Sequence, residues 1–488
     1  MYTDEPVVID EAYVVDEFKT GVANVEAQRA RLLPFDDAVQ GKFKPPFVPD
    51  GTGTDLATEY NALIKMAELP ICGLIINAVT DRMRVDGVKS TMEDQSVELW
   101  RWWQNSHLDS RQLQLYRDAL TYANAYLLIT PPGLTDDRAP RLTPETPLNM
   151  WVDHDPFDPL STRWGVKVIA DKGWLYTSDA IYTMRKRSAS STEWDIEAVV
   201  YHSAGICPIV RFPNRLDSAG RSDTEITQVL PIQRRINQTI LTRLLLETAA
   251  AWRQRWVSGL NVEKDDQGKP INPFSIGVDK LLIAPDPDTK FGEYSASTTQ
   301  DLLAAVEQDL RHIAVVTQTP PTLFAVQSIS NISAESLAAL EGGLMARVDQ
   351  KQVTFGEAFE SAMRLAGTMV GMDVPTDLEM SWTSLELQSN AQRADAMLKF
   401  RQAGLPLRYL LEDIMSLTPQ TVQRVINDLV EEQSYSAAAQ AAAFGVTTPQ
   451  GQQQGQSVTS ADKANIKGKQ AKISSKQEQS VKDATAIA

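Results

Sequence analysis

Apolar residues recur at helical spacing along several long stretches of the chain. Residues 56–80 and 94–124 have the periodicity of amphipathic helices, and Pro70 interrupts the first of them. Residues 232–258 contain no Gly or Pro, so we expect one continuous helix there, about 40 Å long at roughly 1.5 Å per residue. Its apolar stripe at i, i+4 spacing consists of Ile232, Ile236, Ile240 and Leu244.

The same periodicity predicts further helices in the second half of the chain. One covers residues 299–316, with Ser297 or Thr298 as its expected cap, and prolines end it. A longer one begins near Ser333 and contains Gly342 and Gly343, a pair that weakens a helix and permits a bend. Shorter helical patterns follow at residues 390–402 and 406–433, with Thr418 as an expected cap within the latter.

In several short segments between these helices, apolar and polar residues alternate as they do in β-strands. Each is bounded by Gly, Asp or Pro turns. They read AYLLIT, NMWVD, RWGVKVIA, GWLYTS, AIYTMRKR, WDIEAVVYHS and, late in the chain, LEMSWTS. An antiparallel sheet flanked by helices follows, so the predicted fold class is α+β.

Composition and charge narrow the possible functions. The chain has 488 residues, 43% of them apolar, and a formal charge of −16, so it is globular, long enough for two to four domains, and poorly suited to grip DNA. The first 55 residues are acidic and include a Pro/Gly-rich stretch, which we interpret as a helical or extended arm and a linker, with the globular part starting near Leu56. The residues after Gly445 form a basic, polar tail that we expect to be flexible.

The N-terminus lacks a signal-peptide pattern, and the apolar runs are short for a membrane span. We therefore expect a soluble protein made in the cytoplasm, without a membrane partner. Cys72 and Cys207 are too few for a disulfide framework, and each lies in an apolar segment typical of a buried thiol.

No motif for catalysis or cofactor binding stands out. A phosphate-binding loop is missing, and the four histidines have no zinc-enzyme spacing. The segment VDHDPFDP, residues 152–159, groups three aspartates and His154, which could ligate a metal; turn chemistry is the favoured interpretation, because Asp-Pro occurs twice between two strands. We predict no catalytic residues, no metal and no cofactor.

Two further clusters have alternative interpretations. The tryptophans are Trp100, Trp102, Trp103, Trp252 and Trp256, and core or interface packing is favoured over base stacking. A basic face on the long helix and its exit consists of Arg234, Arg235, Arg243, Arg253 and Arg255. Solvated positions or ion pairs between subunits are favoured there over DNA contacts.

Five stretches, in this order, carry a resemblance to a known family. They are WRWWQNSHLDSRQLQLYRDALTYANAYLLIT, VYHSAGICPIVRFPNR, SDTEITQVLPIQRRINQTILTRLLLETAAAWRQRW, TPPTLFAVQSISNISAESLAALEGGL and SWTSLELQSNAQRADAMLKFRQAGLP. Together they resemble the portal proteins of long-tailed bacteriophages over about residues 60–430. The chain departs from the family pattern at Asn124 and Ala334, where Gly is common, and by an insertion within residues 222–226. Asn124 can also take a left-handed turn.

The resemblance implies a portal fold with an α/β wing, a long-helix stem, a small clip and a helical crown. Its parts map to these ranges: 1–55 N-terminal arm and linker, 56–223 first part of the wing, 224–251 first stem helix, 252–296 clip, 297–316 second stem helix, 317–332 tunnel loop, 333–386 kinked helix and second part of the wing, 387–435 crown, 436–488 tail. The implied tunnel-loop residues facing DNA are Gln318, Gln327, Ser328, Ser330 and Asn331.

The resemblance also implies an assembly without enzymatic activity. A ring, usually a dodecamer, would sit at one capsid vertex of the virion after assembly in the host cytoplasm, and double-stranded DNA would pass through it during packaging and ejection. The implied partners are the terminase motor, the head-to-tail adaptor, and the major capsid and scaffolding proteins. Two alternative functions are compatible with the sequence: another head or connector structural protein, and a packaging-associated enzyme.

Overall fold

The chain combines helices with several antiparallel sheets, as the α+β prediction states. The computed structural model describes residues 11–46, 54–132, 139–188, 191–202, 204–251, 255–258, 290–293, 299–324, 334–383, 390–415, 417 and 419–443. Its helices are α1 Glu11–Val39, α2 Thr54–Ala67, α3 Ile71–Thr80, α4 Glu93–Asn105, α5 Leu108–Tyr122, α6 Leu230–Ala251, α7 Gln300–Thr317, α8 Ala334–Val370, α9 Asn390–Gln402, α10 Leu407–Tyr409 and α11 Pro419–Ala443. A 3₁₀ turn covers Pro321–Phe324 and a π turn covers Leu410–Ile414.

The strands form four antiparallel sheets among the described residues. They are β1 Val85–Lys89, β2 Asn124–Thr130, β3 Arg141–Glu145, β4 Met150–His154, β5 Thr162–Ile169, β6 Lys172–Tyr176, β7 Ala180–Lys186, β8 Trp194–Tyr201, β9 Ile209–Pro213, β10 Arg255–Ser258, β11 Lys290–Glu293 and β12 Glu379–Trp382. Strands β4 to β8 form a meander in sequence order, and β2 lies between β3 and β9 in a second sheet. The remaining pairs are β1 with β12 and β10 with β11.

Contacts divide the chain into two compact units, residues 1–422 and 423–488. The first contains every sheet and the helices α1 to α10. Of the second, the structure describes residues 423–443, which are helical throughout.

Helix α1 is part of the fold rather than a free arm. It packs on one face of the five-stranded sheet, where Phe18 is fully buried and meets Trp194 edge-on at 5.0 Å between ring centroids. Gly21 permits the close approach, because a Cβ there would lie 2.3 Å from Val166 Cγ2. The N-terminal residues are therefore helical, as one of the two expectations for the arm stated. The folded part, however, begins at Glu11 and not near Leu56.

The opposite face of the five-stranded sheet packs on the sheet formed by β3, β2 and β9. Met150, Val152 and Ile181 of the larger sheet meet Tyr126 and Ile209 of the smaller one in a single buried cluster. The two sheets thereby form a sandwich with α1 on its outside, because each sheet buries its apolar face.

The largest core lies where α4, α5 and α8 meet. Trp103 and Phe359 make an edge-on contact with 5.0 Å between centroids, Phe212 lies 4.7 Å from Phe359, and Tyr116 stacks on Phe355 at 5.6 Å. All five side chains are fully or almost fully buried. Trp100 and Trp102 are also buried, which confirms core packing over base stacking for this tryptophan cluster.

The turn into strand β2 uses Ala123 instead of Asn124. Ala123 has the left-handed backbone, with φ of 70°, whereas Asn124 is the first strand residue. The Asn124 side chain instead accepts a hydrogen bond at Oδ1 from Arg211 Nε, at 2.8 Å. The expected left-handed turn is thus displaced by one residue.

The prediction of one continuous helix over residues 232–258 is wrong beyond Ala251. Helix α6 ends there, and Arg255–Ser258 form strand β10, which pairs with β11 in antiparallel register. Strand pairing with a distant segment determines the structure here, even though no helix breaker lies nearby. A pattern read within one segment contains no information about such pairing. The helix predicted over 406–433 is likewise divided, because a π turn separates α10 from α11.

One stretch, Thr58–Thr80, is long and apolar enough to cross a membrane by length and composition alone, which differs from the sequence-based expectation. In the fold it is two helices, α2 and α3, separated at Pro70. Ile75 and Ile76 of α3 are buried in the main core. This arrangement accounts for the apolar composition as core packing.

Candidate functional site

Helices α6 and α7 pack against each other, and in the part of the chain that the structure describes an ion pair joins them. Arg235 on α6 donates from Nε and Nη2 to the two carboxylate oxygens of Asp309 on α7, at 2.8 and 2.5 Å. The hydrogen bonds to Asp309 raise the pKa of Arg235, so the guanidinium stays charged. His312 Nδ1 lies 3.8 Å from the same carboxylate. A planar guanidinium on a carboxylate fixes how the two helices face each other.

The predicted basic face is therefore not uniform. Arg235 forms an ion pair with Asp309 of the same chain. Arg243 pairs with Glu247 one turn along α6, at 3.5 Å. Arg234 is exposed and has no ion pair among the described residues. Arg253 lies outside the described residues, and of Arg255 the structure describes only the backbone, in β10.

Helix α7 ends in a tight polar turn. Gln318 has a left-handed backbone, with φ of 50°, and it caps the helix. The hydroxyl of Thr317 donates to Ile313 O at 2.7 Å, and the backbone N–H of Thr319 donates to Ala314 O at 3.0 Å. These bonds satisfy carbonyls at the helix end, so the chain leaves α7 in a fixed direction.

Of the tunnel-loop residues named from the sequence, Gln318 is exposed at this turn. The others, Gln327, Ser328, Ser330 and Asn331, lie outside the described residues. The structure therefore describes Gln318, and the tunnel-loop role of all five residues stays a prediction.

Helix α8 contains the glycine pair, and Gly343 of this pair lies beside the end of α7. The helix is continuous from Ala334 to Val370, and the bend at Gly342 and Gly343 stays a prediction. The two glycines face different surroundings. A Cβ on Gly343 would lie 3.3 Å from Gln318 Cβ and 3.5 Å from its carbonyl oxygen, whereas a Cβ on Gly342 would meet nothing within 4 Å.

This difference predicts unequal effects of two neighbouring substitutions. Gly342→Ala is expected to raise the free energy of unfolding by about 0.5–1 kcal/mol, because alanine favours the helix and meets open space. Gly343→Ala should show less gain or none, because its methyl group presses on Gln318. Urea unfolding of the two variants measures this. Equal gains would show that α8 and the end of α7 are not in close contact.

A buried ionic cluster joins the turn before α6 to helix α8. We call it the Glu225 cluster: Asn214, Arg215, Glu225, Arg347 and Lys351. The Glu225 side chain is fully buried and forms ion pairs with Arg347, with Arg215 at 3.1 Å and with Lys351 at 3.5 Å. Asn214 donates to Glu225 Oε2 at 3.2 Å and accepts from Lys351 Nζ at 2.5 Å. Three cations thus surround one carboxylate.

The surrounding charges decide the protonation of Glu225. Burial alone would raise the pKa of this carboxyl, but Lys351, Arg347 and Arg215 together lower it to about 2. Burial lowers the pKa of Lys351, and the Glu225 carboxylate opposes that shift. The carboxylate is ionised at neutral pH, and it holds the turn before α6 against α8.

Sequence reasoning missed this cluster as a unit. The motif Pro-Asn-Arg and the residue Glu225 belong to the stretches that carry the family resemblance, but their pattern gives no sign that they meet. Arg347 and Lys351 are four residues apart and so share one face of α8, which is the one signal available. Their partner could not be identified without the fold.

Other chemically suggestive residues do not form a reactive site. In VDHDPFDP, the Asp155 side chain accepts from the backbone N–H of Phe157 at 2.8 Å, and that of Asp158 accepts from Leu160 at 3.1 Å, so the favoured turn chemistry is confirmed. Burial and the nearby Arg211 charge lower the pKa of His154 to about 4. Within the described ranges no cluster of His, Cys, Asp or Glu could hold a metal.

Both cysteines are buried, free thiols, as predicted. Burial raises the pKa of Cys72 to about 12 and raises that of Cys207 as well. A thiol that stays protonated and covered is a poor nucleophile.

Comparison with known proteins finds one matching family and individual relatives that cover most of the chain. The family model for phage portal proteins of the SPP1 Gp6-like type matches residues 23–439. The portal protein of Mycobacterium phage D29 is 26% identical over 381 residues, covering 73% of this chain and 76% of the relative. That of Mycobacterium phage L5 is 27% identical over 380 residues, with the same coverage of each chain.

Among solved structures, a chain from the virion of a native gene transfer agent particle covers 79% of this chain and 99% of its own, at 10% identity and a TM-score of 0.41. The family model, in contrast, spans the helices α6, α7 and α8, the Glu225 cluster and both packed sheets. The protein therefore belongs to the SPP1 Gp6-like family of phage portal proteins.

Proposed function

We propose that this chain assembles into a dodecameric ring at a single capsid vertex, and that double-stranded DNA is packaged and ejected through the channel of that ring. Membership of the family makes the chain a structural virion component, part of an oligomeric ring that contacts capsid and DNA. The number of copies, the single vertex and the residues that line the channel belong to the proposal.

The observation that carries the proposal is the path of the chain from α6 to α7. Helix α6 leads into β10, β10 pairs with β11, and α7 follows and packs back on α6. Two helices joined through a small paired module fit a stem with a clip at its end. In this proposal α6 and α7 are the stem, residues 252–296 the clip and residues 317–332 the tunnel loop.

The outer faces of the stem helices support contacts between copies. Leu245 on α6 is 38% exposed, and Leu303 and Val315 on α7 are 43% and 78% exposed. Apolar residues on two helices that already pair with each other are suited to pack on the same helices of neighbours. One such contact, repeated around a closed ring, covers these residues in every copy.

The remaining parts are assigned in the same way. Residues 56–223 and 333–386 would form the wing, which α1 joins through its contact with the five-stranded sheet. Helices within residues 387–435 would form the crown, and residues 436–488 the tail, whose first part continues α11 to Ala443. The glycine pair of α8 would let the tunnel loop change direction.

The net charge of the chain favours a channel through which DNA moves, rather than a surface that binds DNA tightly. The chain carries a net charge of −16, and each phosphate that a protein neutralises adds affinity and slows movement of the duplex. The polar, uncharged tunnel-loop residues would let DNA slide. We infer that the protein acts without catalysis and that the clip binds first the terminase motor and later the head-to-tail adaptor, while other surfaces meet capsid and scaffolding proteins during assembly in the host cytoplasm.

Native mass spectrometry and negative-stain imaging of the purified full-length chain test the ring. We expect closed rings with a central hole and a mass of twelve subunits. A folded monomer at micromolar concentration over a range of ionic strengths would contradict the proposal.

A substitution on the stem tests which faces meet. Leu303→Glu should reduce the fraction of protein in rings, because it places a charge in the contact between copies. Gln350→Glu is the matched control, since it adds the same charge at an exposed polar position of α8, outside the two stem helices. Circular dichroism verifies that both variants fold. Rings that tolerate Leu303→Glu as well as the control would remove α7 from the interface.

A further inference from the structure

The loop between β4 and β5 exposes an aromatic side chain almost completely. Phe157 is 98% exposed and Leu160, three residues later, is 52% exposed. Both lie in the loop that joins the two strands at one edge of the five-stranded sheet. A large apolar side chain held fully in water costs free energy, and such residues frequently mark a contact surface.

The loop is held in place by hydrogen bonds. Besides the two aspartate turns described above, the backbone N–H of Asp155 donates to Ser161 O at 3.0 Å, and that of Ser161 donates to Asp158 O at 2.9 Å. Arg211, which is 4% exposed, donates from Nη1 to Pro159 O at 2.8 Å. The loop therefore presents Phe157 from a fixed backbone, so little ordering entropy remains to be lost on binding.

The tip of this loop is acidic as well as apolar. Asp155 and Asp158 flank Phe157, and neither carboxylate forms an ion pair with a described cation. The tip thus joins an exposed ring to two negative charges, and a partner would need an apolar recess with a positive rim.

The chain itself contains a recess of this kind, with a volume of about 850 Å³. Helix α3 forms one wall, and the 3₁₀ turn after α7 forms another. Its exposed apolar lining residues are Leu69, Leu74 and Leu323, between 38% and 39% exposed. A volume in this range encloses a drug-sized molecule, so it has room for a phenyl ring and a neighbouring leucine.

Charged side chains of both signs border the recess. Arg82 and Arg117 are the cations of its lining, and Asp81 is the carboxylate. Arg82 is already paired with Glu341 at 3.5 Å, whereas no described carboxylate lies within ion-pair distance of the exposed Arg117. Arg117 is therefore available to an acidic partner.

We propose that Phe157 and Leu160 of one copy insert into the α3 recess of the neighbouring copy, with Asp155 or Asp158 beside Arg117. This inference rests on the proposed ring. Because Phe157 is 98% exposed, it does not fill the recess of its own copy. Tip and recess belong to different elements of the chain, as a head-to-tail contact in a closed ring requires. A buried aromatic anchor with charges at its rim is the usual composition of a binding hot spot.

The first test measures ring stability. Phe157→Ala is expected to raise the protein concentration at which half the subunits are in rings at least tenfold, read by native mass spectrometry. Tyr201→Ala is the matched control, since Tyr201 is an exposed aromatic residue on β8, at 69%, and should leave that concentration unchanged. Both variants should have the wild-type circular dichroism spectrum. Equal behaviour of the two variants would overturn the inference.

The second test is a covalent link that keeps Phe157. In Leu160→Cys combined with Leu74→Cys, mild oxidation is expected to produce a ladder of linked subunits on a non-reducing gel. Each single variant should remain unlinked, because the native thiols of Cys72 and Cys207 are buried. Tyr201→Cys with Leu74→Cys should also remain unlinked.

The outcomes separate this inference from the ring itself. Wild-type rings without a link between positions 160 and 74 overturn the inference and leave the ring intact. If the wild-type chain forms no rings, the proposed function fails instead. A ladder in the double variant, with the weakening by Phe157→Ala, establishes the contact.

Discussion

Replacing Glu225 with glutamine is expected to lower the free energy of unfolding by about 3–5 kcal/mol, the usual cost of leaving buried charges without their counter-charge. Glutamine keeps the shape of the side chain but removes the charge that faces Arg347 and Lys351. The side chains of these two cations are 10% and 6% exposed, so water cannot replace the lost carboxylate. The turn before α6 would lose its ionic contact with α8.

Urea unfolding followed by tryptophan fluorescence measures this loss at a fixed protein concentration. Glu247→Gln is the matched control, because Glu247 is 49% exposed and pairs with Arg243 on the surface. Exposed pairs of this kind contribute about 0.2–1 kcal/mol. Similar losses in the two variants would mean that the Glu225 cluster does not hold the structure together.

The same residue gives a pH dependence with a defined sign. The pKa of Glu225 falls from an ordinary value of 4.5 to about 2 in the fold. Its stabilising contribution is therefore complete above pH 4.5 and is lost as the pH falls toward 2. A shift of this size corresponds to about 3 kcal/mol. Wild-type stability should fall more steeply over this window than that of Glu225→Gln, and parallel curves would contradict the assignment.

Truncating Phe359 is the second change with a large expected effect. Phe359→Ala should lower the free energy of unfolding by about 3–5 kcal/mol, because it leaves a cavity in the middle of the main core. The ring contacts Trp103, Phe212 and Tyr116, which come from α4, β9 and α5. One side chain on α8 thus ties three other elements together.

The control for this variant is Phe400→Ala on α9. Phe400 is 46% exposed, so its removal creates no closed cavity, and we expect a loss below about 1 kcal/mol. Chemical unfolding of both variants gives the comparison. The near-ultraviolet circular dichroism of Phe359→Ala should also decrease, because Trp103 loses the ring that packs against its edge. A loss no larger than that of the control would place Phe359 outside the cooperative core.

The strands of the first half could be predicted from the sequence because each is short, alternating and bounded by turn residues. The meander β4 to β8 follows the order of those segments directly. Helices α7 and α8 could be predicted equally well, because their apolar periodicity is strong and prolines or glycines lie near or within them. Local signals suffice where the neighbouring elements in sequence are also neighbours in space.

Other features depend on distant partners and left no local signal. Strand β10 pairs with β11 across a gap of more than thirty residues, so nothing near Arg255 indicated that the helix would stop. The burial of α1 depends on an approach to Val166 that the acidic composition of its sequence conceals. The Glu225 cluster joins positions more than a hundred residues apart. Of the candidate site, the sequence indicated helices α6 and α7 and the end of α7, but not the contact between the turn before α6 and helix α8.

Burial of Glu225, Arg347 and Lys351 also protects their ion pairs from screening by dissolved salt. Surface pairs such as Arg185 with Glu197 are exposed on both sides and lose most of their attraction when the Debye length shrinks to a few ångströms. Duplex DNA carries a dense layer of condensed cations, so a protein wall beside it experiences a strongly screening medium. The carboxylate of Glu225 is shielded from that medium by its own core. The contact between the turn before α6 and helix α8 therefore keeps its strength at ionic strengths that screen the pairs on the surface.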